Sequence, residues 1–575
     1  MSNLCKSCGA PLKEGATKCI YCGTPVPKET APASQPVNSN TGAGQGTSLF
    51  GSYDISSISN AFQTVNGDSG SNDATNHFAD RNWRNDWAIK RKKTQNKLGI
   101  VLTNTANLKD SRRFDRALND YIAKKSAEGV DYCILDISKQ NVHKVSKNTI
   151  EEVVELLKKV YETAVPDYLM IVGDHTVVPC IKWKAVPGVG DKFIPSDLPY
   201  ITLDTDSPWE GAEYSFENVT QVGRVPTCAE TNFEEAVVYF ENTAAFVPYQ
   251  KITAFAYSSL SWVQTSVNEF KNVNPTMITS PDHTSNAIIA NIPGFVLFNG
   301  IEDKYNLLCF DLHGSETTQV WYGDYMDQFF EAFESKHFPN NTNGYVICSV
   351  ACYGAKPNVR VGKIPTILNY ALTHKCVAFV GSTMSAWGGV GGHMSCANYL
   401  LSYFNEGISH GLTVGRSFLN ALDFFYQRDI NEKEIKTVAE FGLYGDPSVV
   451  LITGNAMKTF STSRNPGMSS TTKNPKKAFR FISCDGNDDD GMSMRNFSLS
   501  EFNRMRNMAC TIRSKGDNFV VSNFSTMSGV EPKVYKLDGK EEYRAVYTKN
   551  VGDVSVMVSV HTDANGNIKE TYVSK

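Results

Sequence analysis

The sequence predicts an α/β fold: a mostly parallel sheet with helices on both faces. A small cysteine-rich unit precedes it, and a small β-rich or α+β domain follows. Two observations predict the sheet. Between residues 97 and 455, short apolar runs suited to buried strands alternate with segments whose apolar residues recur at helical spacing. Such alternation is the signature of parallel strands joined by crossover helices. Runs 98–103, 132–137 and 168–172 read as strands. Between them, 112–125 and 148–163 read as helices, the second carrying Ile150, Val153, Val154, Leu157, Val160 and Tyr161 on one face. Further strands are predicted at 252–257, 307–312, 345–350 and 377–381.

At 575 residues the chain exceeds one ordinary hydrophobic core, so two to four domains are expected. Residues 1–26 form the cysteine-rich unit. Residues 27–96 are rich in Ser, Asn, Gly, Thr and Pro, and bury too little apolar surface to offset ordering entropy, so they read as a disordered tether. Its basic end, with Arg81, Arg84, Lys90, Arg91, Lys92, Lys93 and Lys97, reads as a solvated entry to the domain at 97–455. A second polar linker spans 456–478. The last unit, 479–575, holds alternating strand-like segments such as 554–560 and a turn signal at Asp563-Ala564-Asn565-Gly566.

Hydrophobic residues at 41%, charged residues at 20% and a net charge of −4 describe a globular protein and point to neither a nucleic-acid nor a membrane-surface partner. No apolar run approaches the ~20 residues of a membrane span. Met1-Ser2-Asn3-Leu4-Cys5 has no basic region followed by an apolar one, so the expected compartment is the cytoplasm. There the fourteen cysteines stay reduced and read as metal ligands, a nucleophile or core residues.

Cys5-Lys6-Ser7-Cys8-Gly9 and Cys19-Ile20-Tyr21-Cys22-Gly23 are two C-x-x-C-G knuckles. Four thiolates at this spacing complete a closed tetrahedral site, so a structural zinc held by Cys5, Cys8, Cys19 and Cys22 is expected. So short a unit has little core, and the metal supplies its folding free energy.

Two predicted strands each deliver one reactive residue. Leu307-Leu308-Cys309-Phe310-Asp311-Leu312 runs into His313-Gly314-Ser315-Glu316, and Tyr345-Val346-Ile347-Cys348-Ser349-Val350 runs into Ala351-Cys352-Tyr353-Gly354. Open α/β sheets place their sites at this carboxyl edge. A thiol needs a neighbouring base to act as a thiolate near neutral pH, and an imidazole serves. Gly314 and Gly354 let a substrate backbone approach and leave main-chain N–H groups to hold an oxyanion. Cys309, Cys348 and Cys376 are adequately explained as core residues.

His313-Gly314-Ser315-Glu316-Thr317 and Val350-Ala351-Cys352 resemble the catalytic segments of the gingipain-like cysteine peptidases, which have a caspase-like fold. The resemblance runs from about Pro166 to Ile452. It takes in Ile171-Val172-Gly173-Asp174-His175, Ser196-Asp197-Leu198-Pro199-Tyr200, Val222-Gly223-Arg224, Gly381-Ser382-Thr383 and Gly445-Asp446-Pro447-Ser448 in family order. It implies that Cys352 attacks a peptide carbonyl, that the N–H groups of Gly314 and Cys352 hold the oxyanion, and that His313 protonates the leaving amine and activates water. It further implies that Trp387 walls the pocket for the residue before the cleaved bond, here called S1.

The sequence departs from the family after the strand at 252–257. Relatives carry there a glutamate behind the histidine and an aspartate that selects arginine. This chain has Ser258, Ser259, Leu260, Ser261, Trp262, Val263, Gln264 and Thr265, with no carboxylate until Glu269. Ser258 and Ser259 are therefore expected to line S1, and an uncharged or polar residue to occupy it. Structural calcium is raised by the resemblance, but the acidic stretch 485–491 lacks EF-hand spacing and reads as a solvated loop. The rival from another class is a pseudopeptidase scaffold, favoured by the missing carboxylate and opposed by the retained His313, Gly314 and Cys352. The zinc ribbon would dock a partner of unknown identity, and the peptidase a protein or peptide.

Overall fold

The computed structural model describes residues 76–93, 95–211, 214, 216, 220–281, 304–316, 319–325, 328–338, 343–356, 358, 360–361, 364–427, 430–453, 479–484, 499–524 and 527–575. The four knuckle cysteines and the acidic stretch 485–491 lie outside the described residues.

The strands of the first half are β1 (Lys97–Thr103), β2 (Val130–Asp136), β3 (Tyr168–Val172), β4 (Ile181–Lys184), β5 (Phe193–Ser196) and β6 (Gln221–Val225). Then come β7 (Ala254–Ser259), β8 (Thr276–Ser280), β9 (Leu307–Asp311), β10 (Val320–Tyr325), β11 (Gln328–Glu334) and β12 (Tyr345–Ser349). The next are β13 (Arg360–Val361), β14 (Ile364–Pro365), β15 (Cys376–Ser382), β16 (Trp387–Gly388) and β17 (Phe441–Gly445). The C-terminal region adds β18 (Phe481–Ser483), β19 (Lys533–Leu537), β20 (Tyr543–Val551), β21 (Val554–Thr562) and β22 (Ile568–Ser574).

Ten of them form one sheet in the order β2-β1-β3-β6-β17-β15-β12-β9-β7-β8. Each half is parallel, and the halves meet at the single antiparallel pair β15–β17. β1, β2, β3, β9, β12 and β15 are almost wholly buried, as strands covered on both faces must be. The predicted helices form at Arg112–Ala127 and Ile150–Tyr161; Thr149 caps the second through the Glu152 amide.

Several motifs of the resemblance have a structural purpose. Arg224 on β6 is buried and grips Asp197 with a two-pronged ion pair, Nε–Oδ2 2.6 Å and Nη2–Oδ1 2.7 Å. It also donates to the carbonyls of Gly173 and Val178 at 2.7 and 2.9 Å. Asp446 accepts the phenolic hydrogens of Tyr121 and Tyr132 at 2.6 and 2.5 Å, which ties the helix Arg112–Ala127 and β2 to the end of β17. Removing one partner of such a pair leaves a buried group uncompensated, so these segments stand together.

The basic stretch differs from the disordered reading. Trp83–Lys93 is a helix, and Trp83 and Trp87 are buried with Phe78 against the main core. The two indoles supply the apolar area that the surrounding polar composition conceals, while Arg91 and Lys97 share Asp167.

A six-stranded antiparallel sheet, ordered β16-β22-β21-β20-β19-β18, packs with the helix Leu499–Asn523 around a second core. Its edge strand β16 comes from the first domain, so the C-terminal sheet is stitched onto that domain through the segment that follows β15. No helix among the described residues is long and apolar enough to cross a membrane.

Candidate active site

β9 and β12 are hydrogen-bonded neighbours and run parallel, so both end at the same edge of the sheet. His313 stands just past β9 and Cys352 just past β12. Both are buried. The loops that carry them touch: a Cβ built on Gly314 would lie 1.7 Å from the Cys352 carbonyl oxygen and 2.9 Å from its nitrogen. Only glycine permits that approach. Gly354 plays no oxyanion part, because its N–H donates to the Ala351 carbonyl at 3.0 Å.

His313 is fixed on both sides. Its backbone exchanges two 2.8 Å hydrogen bonds with Tyr322 on β10. Its ring lies between Trp262 (centroids 4.2 Å apart) and Phe329 (4.8 Å). Nε2 is 3.7 Å from Oδ1 of Asp324, whose other oxygen accepts from the Ser261 hydroxyl at 2.6 Å. Nδ1 is buried without a hydrogen-bond partner. Asp324 is the carboxylate that faces the imidazole. No sequence pattern points to it, because it arrives on the separate β10–β11 hairpin.

The edge also holds an extended strand. β22 lies antiparallel on β16, with Trp387 opposite Ser574 and Gly388 opposite Val573. Lys575 follows. Its N–H donates to the Ala386 carbonyl at 2.9 Å, and its carbonyl oxygen accepts the Cys352 N–H at 2.9 Å. The Lys575 side chain passes over Gly388, where an added Cβ would stand 2.2 Å from Cε. Its ammonium ends 3.7 Å from the centre of the Trp262 ring and 3.4 Å from Oδ1 of Asp311.

Ser258 and Ser259, expected to line S1, are wholly buried and bound to neighbouring groups. The Ser266 hydroxyl donates to Oδ2 of Asp311 at 2.5 Å and meets the Ser258 hydroxyl at 2.8 Å. Ser259 is engaged with the Asp324 backbone. Trp387 is wholly buried, but its indole N–H donates to the Val189 carbonyl at 2.8 Å and its ring packs with Cys396, Met557 and Tyr572. Trp387 thus offers main chain to β22, and the ring against the ammonium is Trp262. The carboxylates are Asp311, hidden inside an apolar run, and Glu269, held by Asn398 Nδ2 at 2.7 Å. Burial pushes the Glu269 carboxyl well up, and the charge of Asp311 adds to it.

Burial pushes the Cys352 thiol up to about 12, with Lys436 pulling the other way. In this closed arrangement it is a thiol. Cys180 and His175 form another close pair, Sγ to Nδ1 3.0 Å. Burial raises that thiol to about 12 and lowers that imidazole to about 3, so both stay neutral and the contact is structural. Among the described residues no cluster of His, Cys, Asp and Glu could hold a metal ion.

With this geometry in place, comparison with known proteins decides the family. The family model for peptidase family C25 matches residues 92–452, well over half of the chain. The chain belongs to that family, the family of the gingipains. It is a cysteine-type peptidase, a hydrolase acting on protein or peptide substrates, and its large sheet is the caspase-like one. A solved structure described as "Structure of Protease" is similar over 83% of this chain and 97% of its own, at 12% identity and a TM-score of 0.42. No curated protein matches the chain.

Proposed function

We propose that this C25 peptidase is an endopeptidase whose nucleophile is Cys352 and whose proton carrier is His313, and that it works through an acyl-enzyme. One observation carries the reading: the main-chain oxygen of Lys575, at the end of an extended strand, rests on the Cys352 N–H, with the His313-Gly314 turn packed against the same residue.

The steps follow from the groups present. The Cys352 proton passes to His313, and Sγ bonds to the scissile carbonyl carbon. The carbonyl electron pair moves onto oxygen, which the N–H groups of Cys352 and Gly314 stabilise. The C–N bond breaks as His313 gives its proton to the leaving nitrogen, and a thioester remains. Water then loses a proton to His313, adds to the thioester carbon and expels the Cys352 sulfur. Asp324 is a positioning residue: it faces Nε2 and leaves Nδ1 for the proton transfers.

The test uses the full chain, with a peptide library and an acyloxymethyl-ketone peptide probe. Cys352→Ala and His313→Ala should each lower turnover at least a thousand-fold while melting like the parent. Turnover retained in Cys352→Ala would overturn the assignment.

A further inference from the structure

We infer that S1 takes lysine, and that the chain's own β22 and Lys575 occupy the S3 to S1 subsites as a resident pseudosubstrate. The inference rests on the peptidase reading above and adds to it a substrate class and a means of regulation.

Three independent contacts place Lys575 as a substrate residue would lie. Its carbonyl is on the Cys352 N–H, its own N–H is on the Ala386 carbonyl, and the two residues before it pair with β16 in antiparallel register. Its side chain is wholly enclosed. An ammonium taken out of water needs a compensating charge, and Asp311 is 3.4 Å away, itself buried. The Trp262 face adds a cation–π contact.

The pocket fits lysine better than arginine. Ser266 already occupies Oδ2 of Asp311, so only Oδ1 is free for a guest. A point charge is satisfied by one oxygen, whereas a guanidinium needs two in a fork to recover its hydration. Glu269 is already engaged elsewhere, its Oε1 accepting from Asn398 Nδ2 at 2.7 Å. The inference departs from the expectation of an uncharged S1, because the carboxylate beside the Lys575 ammonium comes from β9 and not from the segment after β7.

While Lys575 fills the pocket, a substrate lysine is excluded. The domain carrying β22 is held by a buried charge cluster. Arg544 Nε and His561 Nε2 lie 2.9 and 3.3 Å from Oε1 of Glu432, and Asn431 donates to the Tyr572 hydroxyl at 2.7 Å. The resident strand is therefore tethered at high effective concentration.

The experiment compares full-length parent, Lys575→Ala and Lys575→Met on matched peptides differing only in lysine, arginine or methionine at P1. Both variants should cleave the lysyl peptide at least ten-fold faster in kcat/KM than the parent. They should also prefer lysine to arginine by ten-fold and to methionine by more. Equal rates in parent and variants would overturn the resident strand. Cleavage without lysine preference would overturn the pocket. A binding arm is independent of chemistry: in a Cys352→Ala background, a labelled peptide of sequence Thr-Tyr-Val-Ser-Lys should bind the Lys575→Ala chain and not the chain retaining Lys575. If that binding is seen while no chain cleaves any peptide, the inference stands and the catalytic reading falls. If the peptide binds both chains equally or neither, the inference falls.

Discussion

At Gly314 a hydrogen stands where any other residue would drive a carbon into the Cys352 carbonyl. Neither backbone can retreat, since β9 and β12 are adjacent strands of the same sheet. Gly314→Ala should therefore lower stability by about 3 kcal/mol and abolish turnover; a variant melting with the parent would show the loops to be slack. At Asp324 the effect should be on catalysis alone. Asp324→Asn should cut kcat at least ten-fold with KM nearly unchanged, and Asp324→Glu should recover part of it; an unchanged kcat would remove its positioning role. Glu440 gives a pH signature. Burial raises its carboxyl from the usual 4.5 to about 7, although Lys436 lies 2.6 Å away. The unfolded chain then loses that proton first, so this group's contribution falls as pH rises from about 4.5 to 7 and is flat above. Glu440→Gln should flatten that part of the pH–stability curve measured by denaturant unfolding. An unaltered slope would place the titration elsewhere. Residue by residue, His313, Gly314 and Cys352 were legible because each ends a recognisable apolar run. Asp311 was visible as an acid inside such a run, but nothing in its neighbours says that it faces a pocket. Asp324, Trp262 and Lys575 meet the site through folds of the chain that no local pattern encodes.

Strands, helices and their edges explain why the site is where it is. Parallel β9 and β12 deliver two side chains to one edge, and the short β16 pairs there with β22. On the reading proposed above, a peptide adds there as a strand, gaining affinity from backbone hydrogen bonds and specificity from a pocket. The helix Glu432–Glu440 anchors the sheet that supplies β22. Burial alone would raise the Glu432 carboxyl, but Lys433, His561 and Arg544 outweigh it and hold the group well below the usual carboxylate range. Its contribution is present above the usual 4.5 and is lost only as pH falls through the lower folded value. The latch should therefore hold at neutral pH and fail in strong acid. Glu432→Gln strands buried cations and should cost about 3 kcal/mol; it should also speed lysyl-peptide cleavage by loosening β22. Slower cleavage in a folded Glu432→Gln chain would contradict the latch. The large sheet was readable because its strands are unbroken apolar runs. The helix Trp83–Lys93 was not, because two tryptophans in a basic, polar context carry its burial.

The whole chain combines a peptidase, a sheet domain seated on its active edge, and an N-terminal unit whose knuckles we propose hold zinc. Intact protein should contain one zinc per chain, bound by Cys5, Cys8, Cys19 and Cys22. Removing residues 1–75, which stops short of the buried Phe78, should abolish the metal and leave the peptidase folded. Zinc persisting after that truncation would place it elsewhere. Across the molecule, the central proposal is that Cys352 attacks carbonyls presented by a lysyl strand. It is tested most directly by treating the Lys575→Ala chain with a lysyl acyloxymethyl ketone and locating the adduct by peptide mass spectrometry. A single adduct on Cys352, absent from the Cys352→Ala, Lys575→Ala double variant and slower to form in the parent, is the predicted result. An adduct on another cysteine, or labelling that persists without Cys352, would contradict it.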